Sequence, residues 1–152
     1  MSFVYDALPH YFLEFDVLDR ESGLFLSTPS RQRLLAGLPI ASVPVLASGP
    51  IASLRELAAL IRPSLYKTPS WKSRLRAEAT ARGQDLDRME KETDPSQLAE
   101  GIYVKVEEGE FVLERYKFVR PTFLQAILDS DSHWMSRPLL PNQLRSDVDI
   151  FA

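Results

Sequence analysis

Residues 102 to 119 leave the chain little choice but to double back on itself. Ile102 to Val106 alternates apolar side chains with Tyr103 and Lys105, Glu108-Gly109 supplies a turn, and Phe111 to Val119 returns. That is the pattern of a tight antiparallel hairpin. Successive strand side chains point to opposite faces, so Phe111, Leu113, Arg115 and Lys117 share a face and two cations project together. With no alternating strand and helix units joined by glycine-rich turns, the chain reads as α+β and not as a doubly wound sheet.

The flanking segments supply the helices and one more strand. Tyr11 to Leu18 is rich in aromatic and apolar residues and meets no breaker until Ser22-Gly23, which predicts a buried strand with Phe15 on the face of Tyr11, Leu13 and Val17. Thr28-Pro29-Ser30 opens a helix, with Thr28 as N-cap and Pro29 in the first helical position, and Gly37 stops it. A short strand is expected over Val43 to Leu46. Ser53 with Glu56 three residues later forms a capping box for a helix with Leu54, Leu57, Ala58 and Ile61 on its apolar side, ended by Pro63. Ser70 caps a helix from Trp71 to Arg82 that Gly83 closes, and a further helix runs from Gln84 to Glu92 before Asp94-Pro95. Pro121 starts a last amphipathic helix carrying Phe123, Leu124, Ile127 and Leu128, and the tail from Arg137 to Ala152 is irregular.

With 152 residues, 45% hydrophobic and 26% charged, the chain supports a single domain over residues 1–152, with residues 62–98 as a helical insertion. No apolar run approaches the roughly 18 residues of a membrane span, and the first residues lack a signal peptide's basic start and apolar stretch. A soluble, cytoplasmic protein is expected. Zero cysteines and two isolated histidines exclude disulfides and thiolate sites and disfavour a histidine-rich zinc site, leaving a hard cation held by carboxylates and phosphates. The net charge of −3 excludes a binder dominated by overall basicity but permits a local basic groove. Lys67, Lys72, Arg74, Arg76 and Arg82, with Tyr66 and Trp71 nearby, form such a run. It reads either as a surface for a nucleic-acid backbone and exposed bases or as a solvated helix with one aromatic packed inward.

Three short motifs lie in order on the segments just described: Phe15-Asp16, Glu100-Gly101, and Arg115-Tyr116-Lys117. In order and spacing they resemble the Phe-Asp, Glu-Gly and cationic Lys-x-Lys strands of ATP-dependent RNA ligases, a branch of the covalent nucleotidyltransferase superfamily. The resemblance implies the C-terminal part of an adenylylation domain, an ATP-grasp-like ligase core of mainly antiparallel sheet with flanking helices. By that resemblance Phe15 would stack on the adenine of ATP or AMP, and Glu100 would orient magnesium or its water. Lys117 would bind the α-phosphate, with Arg115 and Lys105 in supporting electrostatic positions. Asp16, which strand alternation points away from Phe15, has structural hydrogen bonding as its better role.

The departures are as informative. No Lys-x-Asp-Gly occurs in these residues, and the upstream glutamate strand of such ligases is missing too, so the covalent step has no visible nucleophile. Arg115 stands where many relatives have lysine, which keeps the charge but changes the hydrogen-bond geometry. The stretch after Arg120 is too short for the OB barrel of DNA ligases and capping enzymes, or for the helical domain some RNA ligases carry. Two functions follow as alternatives. The first is a part of an RNA ligase that joins 5′-phosphate and 3′-hydroxyl RNA ends through a lysyl-AMP intermediate, inactive alone and working with an upstream polypeptide that carries the lysine. The second is a noncatalytic nucleotide- or RNA-binding protein. An unpaired edge or exposed apolar surface would favour self-association or a partner chain.

Overall fold

The computed structural model describes residues 2–128 and 140–150. The described residues form seven regular elements: α1 (Thr28–Leu35), α2 (Leu54–Ala59), α3 (Trp71–Ala81), α4 (Leu86–Glu92), β1 (Gly101–Glu108), β2 (Phe111–Val119) and α5 (Pro121–Leu128). They fall into two compact units. The first comprises Met1–Tyr11, Ile51–Glu100 and Val119–Ala152, and the second Phe12–Pro50 and Gly101–Phe118.

The first unit is organised by helix faces. Trp71, Leu75 and Ala79 recur every four residues along α3 and are buried, together with Met89 of α4 and Val4 from the N-terminal segment. Leu140 packs on this cluster. Asp85 caps α4 by accepting the Arg88 N–H at 3.1 Å, and α3 ends before Gly83, whose φ of +64° is one that L side chains rarely adopt. The N-terminal segment is tied to the α4 exit by Ser2 N–H to Glu92 O (2.7 Å) and Asp94 N–H to Ser2 O (3.0 Å). The expected capping box of α2 is present: the Ser53 hydroxyl accepts the Glu56 N–H, and Glu56 reaches back to the Ala52 N–H. Its apolar side, however, is only partly covered, with Leu57 and Ile61 half-buried and Leu54 and Ala58 exposed. No residue of α2 is buried.

The second unit is built on the β1–β2 hairpin, turned at Gly109 with φ +57°. Segment 24–27 joins it edge-on, with Val112 N–H to Phe25 O at 2.8 Å and Ser27 N–H to Glu110 O at 2.7 Å, and its other side meets Val17 through Leu26 N–H at 2.9 Å. Helix α1 begins one residue earlier in its cap than expected, with Ser27 as N-cap and Thr28 as the first helical residue. The cap is supplied from the hairpin: Glu107 accepts both the Thr28 N–H (2.8 Å) and its hydroxyl (2.7 Å).

The α+β class stands, but the sheet is smaller than a mainly antiparallel core. Among the described residues the hairpin is the only ladder, and every other pairing is an isolated bridge. Tyr11 to Leu18 is extended, with bridges only at Glu14 and Leu18. Glu14 exchanges backbone bonds with Ala41 and Val43, and this pairing stays a single bridge. Val43 to Leu46, expected as a short strand, forms none. The burial of 11–18 is also the reverse of that expected: Tyr11, Phe12, Phe15 and Leu18 are exposed and Glu14 is buried. Part of the tail, residues 137–139 and 151–152, lies outside the described residues. No helix among them is long and apolar enough to cross a membrane.

Candidate functional site

The extended segment through Phe15 presents its two motif residues differently. Glu14 just before them is buried against Arg31 of α1, with which it forms an ion pair, and it accepts the Ser42 hydroxyl at 2.9 Å. That anchor leaves the Phe15 ring 48% exposed, in edge-to-face contact with Tyr103 of β1, with centroids 5.5 Å apart. The Asp16 carboxylate is shielded. It accepts the Tyr103 hydroxyl at 3.0 Å, pairs with Lys105 at 2.6 Å and meets Arg115 of β2 at 3.3 Å. Lys105 also donates to the Phe15 carbonyl at 2.6 Å.

Three residues scattered over the hairpin are thereby gathered around one dipeptide. The centre of the Arg115 guanidinium lies 3.8 Å from the centroid of the Phe25 ring, a cation–aromatic contact of the kind arginine makes more often than lysine. Partial burial, followed by the bond to the Asp16 carboxylate, raises the pKa of the Tyr103 phenol; it stays protonated and serves as a donor. The local balance is two cations against one carboxylate, beside an aromatic face open to solvent. Such a surface suits a planar, anionic ligand.

Lys117 is exposed on β2, further along the strand from Arg115. Glu100 belongs to the first unit, at the residue before β1, and is half-buried. Its carbonyl accepts the Arg120 N–H at 3.0 Å. The Tyr5 hydroxyl has a pKa pushed up to about 12, first by burial and then by the negative charge of Glu100, so the carboxylate acts electrostatically on an aromatic-rich neighbourhood. The described residues contain no group of three or more histidines, cysteines or carboxylates able to hold a metal ion. Magnesium does not require one, since it is commonly held through one or two carboxylates, waters and substrate phosphates. Glu100 fits as a single such ligand.

The basic run does not form an open cationic face. Arg74 pairs with Asp6 at 3.5 Å and Arg82 with Glu78 at 2.6 Å, and Arg76 pairs with Glu90. Lys67 is buried, donating to the Ser96 carbonyl at 2.9 Å with its ammonium 4.0 Å from the Trp71 ring centroid. Lys72 also lies over Trp71, at 5.6 Å. Trp71 packs inward, as in the solvated-helix alternative. The sequence reading missed Tyr103, the gathering role of Asp16 and the neighbours of Glu100. A tyrosine alternating with lysine on a motif strand was the one available signal for the first.

Compared with known proteins, residues 1–119 match the family model described as RNA ligase. That span includes Phe15, Asp16, Glu100, Tyr103, Lys105, Arg115 and Lys117. A search of curated proteins and a search of solved structures gave no match.

Proposed function

Because the chain belongs to the RNA ligase family, we propose that it is the C-terminal part of the adenylylation domain of an ATP-dependent RNA ligase. In that role it holds the nucleotide while a lysine supplied by an upstream polypeptide performs the covalent step. The observation that carries the reading is the convergence of Tyr103, Lys105 and Arg115 on Phe15-Asp16. Phe15 offers its face to adenine, a contact worth about 1–3 kcal/mol per base. Lys117 binds the α-phosphate and stabilises the charge that develops there during phosphoryl transfer. Arg115 and Lys105, held by Asp16, supply a positive field with a fixed direction and so need little reorganisation. Glu100 orients magnesium, which when bound neutralises phosphate charge.

The covalent step calls for a lysine that these residues do not place. Adenylylation needs an amine in line with the departing pyrophosphate, and a displacement of about 1 Å can cost roughly 100-fold; no Lys-x-Asp-Gly stands in these 152 residues. Exposed apolar side chains in the second unit, among them Phe12, Leu34, Leu38 and Leu113, support a covering chain, either that polypeptide or a second copy. The substrate of the assembled enzyme is a pair of RNA ends, 5′-phosphate and 3′-hydroxyl. The absent nucleophile also favours a second reading, a noncatalytic nucleotide- or RNA-binding protein.

Incubation with radiolabelled ATP and magnesium separates them. The chain alone should give no lysine-linked AMP, and addition of a polypeptide carrying Lys-x-Asp-Gly should restore the adduct on that polypeptide. An adduct on the isolated chain, mapped to one of its own lysines, would overturn the proposal. Calorimetry with ATP tests the site itself: Phe15→Ala and Lys117→Ala should each weaken binding, and equal affinity in all three proteins removes it.

A further inference from the structure

We propose that Arg120 is the positioning residue for Glu100, fixing the backbone from which that carboxylate projects. The inference rests on the metal-orienting role proposed for Glu100, and it arises from contacts confined to the first unit. Arg120 follows β2 directly and is 7% exposed. Its backbone N–H donates to the Glu100 carbonyl at 3.0 Å, and its side-chain Nε donates to the Ala99 carbonyl at 3.1 Å. Two successive carbonyls, one on each side of the Glu100 Cα, are thus held by a single residue. The dihedrals that aim the Glu100 Cα–Cβ bond lie between those two peptide planes, so fixing both planes fixes the direction in which the side chain leaves the backbone.

The guanidinium is itself held on every side. One terminal nitrogen donates to the Thr122 hydroxyl at 2.7 Å, the other pairs with Asp94, and the Phe123 and Phe3 rings lie 5.6 and 6.0 Å from its centre. Asp94 is buried and faces a second cation, Lys67, at 4.0 Å. A planar fork with donors in three directions reaches Ala99, Asp94 and Thr122 at once. A lysine ammonium is a point charge on a flexible stem and would satisfy Asp94 while releasing Ala99. Removing the charge altogether would instead leave Asp94 with the Ser96 hydroxyl at 2.9 Å and, as its cation, the longer Lys67 contact. The conservative substitution therefore isolates positioning from charge.

The test uses the full chain as wild type, Arg120→Lys, Arg120→Ala and Glu100→Gln, with ATP affinity measured with and without magnesium. Amide hydrogen exchange is followed in parallel. In wild type magnesium should strengthen ATP binding, and Glu100→Gln should lose that gain. Arg120→Lys should lose it too, by about tenfold as for other groups that orient a metal ligand, with magnesium-free ATP affinity unchanged. Exchange of the residue-120 amide should quicken about tenfold in Arg120→Lys, the scale of one hydrogen bond, while the Leu75 and Met89 amides keep their protection. Retention of the magnesium gain in Arg120→Lys, where Glu100→Gln loses it, would overturn the proposal. If wild type shows no magnesium gain, the metal role of Glu100 fails, and the residue-120 amide then decides the clamp: unchanged exchange in Arg120→Lys refutes it, and quickened exchange upholds it. Arg120→Ala guards against misfolding as the cause, since it should reproduce the lysine variant's loss with added loss of Leu75 and Met89 protection.

Discussion

The two units of this chain solve the problem of holding together by different means. The first buries Trp71, Leu75, Ala79, Met89 and Val4 in one cluster and closes it with charged groups that are themselves paired. The second buries only Ile102 and Val112 among its apolar residues, and its other buried groups are polar: Glu14, Arg31, Ser27 and Ser30. Apolar burial is the main favourable contribution to folding, whereas a buried ion pair roughly breaks even against its own desolvation. The motif residues Phe15, Lys105, Arg115 and Lys117 all sit in the unit with the poorer core. The chain therefore keeps most of its apolar burial in one unit and four of its five motif residues in the other, Glu100 being the exception.

The sharpest way to break this contrast is to remove the largest core side chain. Trp71→Ala should cost about 3–5 kcal/mol in denaturant unfolding, with exchange accelerated first at the Leu75 and Met89 amides. Parallel loss of protection at Val112 would show that the units unfold as one and dissolve the distinction. The matching test in the second unit is Arg31→Met, which strands Glu14 in a buried site and should cost about 3–5 kcal/mol. Adding Glu14→Leu should recover most of that loss. If the double variant is as unstable as the single, the ion pair contributes far more than the contrast allows.

Alkaline pH sharpens the comparison from the first unit's side. The Lys67 ammonium has a pKa lowered to about 8, chiefly by burial; Arg120 and Lys72 push it down, while Asp94 and Asp6 oppose the shift. Below about pH 8 the lysine is charged in both states and the cost of burying that charge is fully present. Between pH 8 and its ordinary 10.5 the unfolded chain holds more protons, so stability should rise with pH. Tyr5, raised to about 12, acts in the opposite sense above pH 10, which makes pH 8 to 10 the informative window. Thermal melts should gain stability across it in wild type and less so in Lys67→Met; equal slopes would refute the assignment. The smallest effect belongs to Phe15→Ala. With its ring half exposed it should change stability by no more than about 0.5 kcal/mol, even as nucleotide binding weakens, and a core-sized loss would mean that the ring is structural.

What the sequence made legible was local. The hairpin, the Ser53 and Glu56 box, the Gly83 stop and the start of α3 at Trp71 all follow from residues within a few positions of one another. The errors lie where a partner distant in sequence decides. Tyr11 to Leu18 has the composition of a buried strand, yet its burial is set by Arg31 pairing with Glu14, and its pairing is limited to isolated bridges with residues distant or near in sequence, Ser42 and Phe25. Asp16 read as a structural hydrogen-bonding residue, and it is one, but nothing in its neighbourhood announces that Tyr103, Lys105 and Arg115 will gather on it from 87, 89 and 99 residues away. The basic run around α3 looks open in sequence because its partners Asp6 and Glu90 come from other segments.

The cap that Glu107 provides to α1 sets an order of events in time. Its carboxylate and the Thr28 N–H are 79 residues apart, and an eight-residue helix is too short to persist unaided in water. At synthesis rates of about 5–20 residues per second, roughly 4 to 16 s separate the emergence of the helix start from that of its cap. During that interval α1 has no completed N-terminus, while the capped helices of the first unit carry their own signals close by. A nascent chain therefore carries the caps of α2 and α4 within a few residues of the helices they serve, whereas the segment that bears Phe15 waits for the hairpin to complete it.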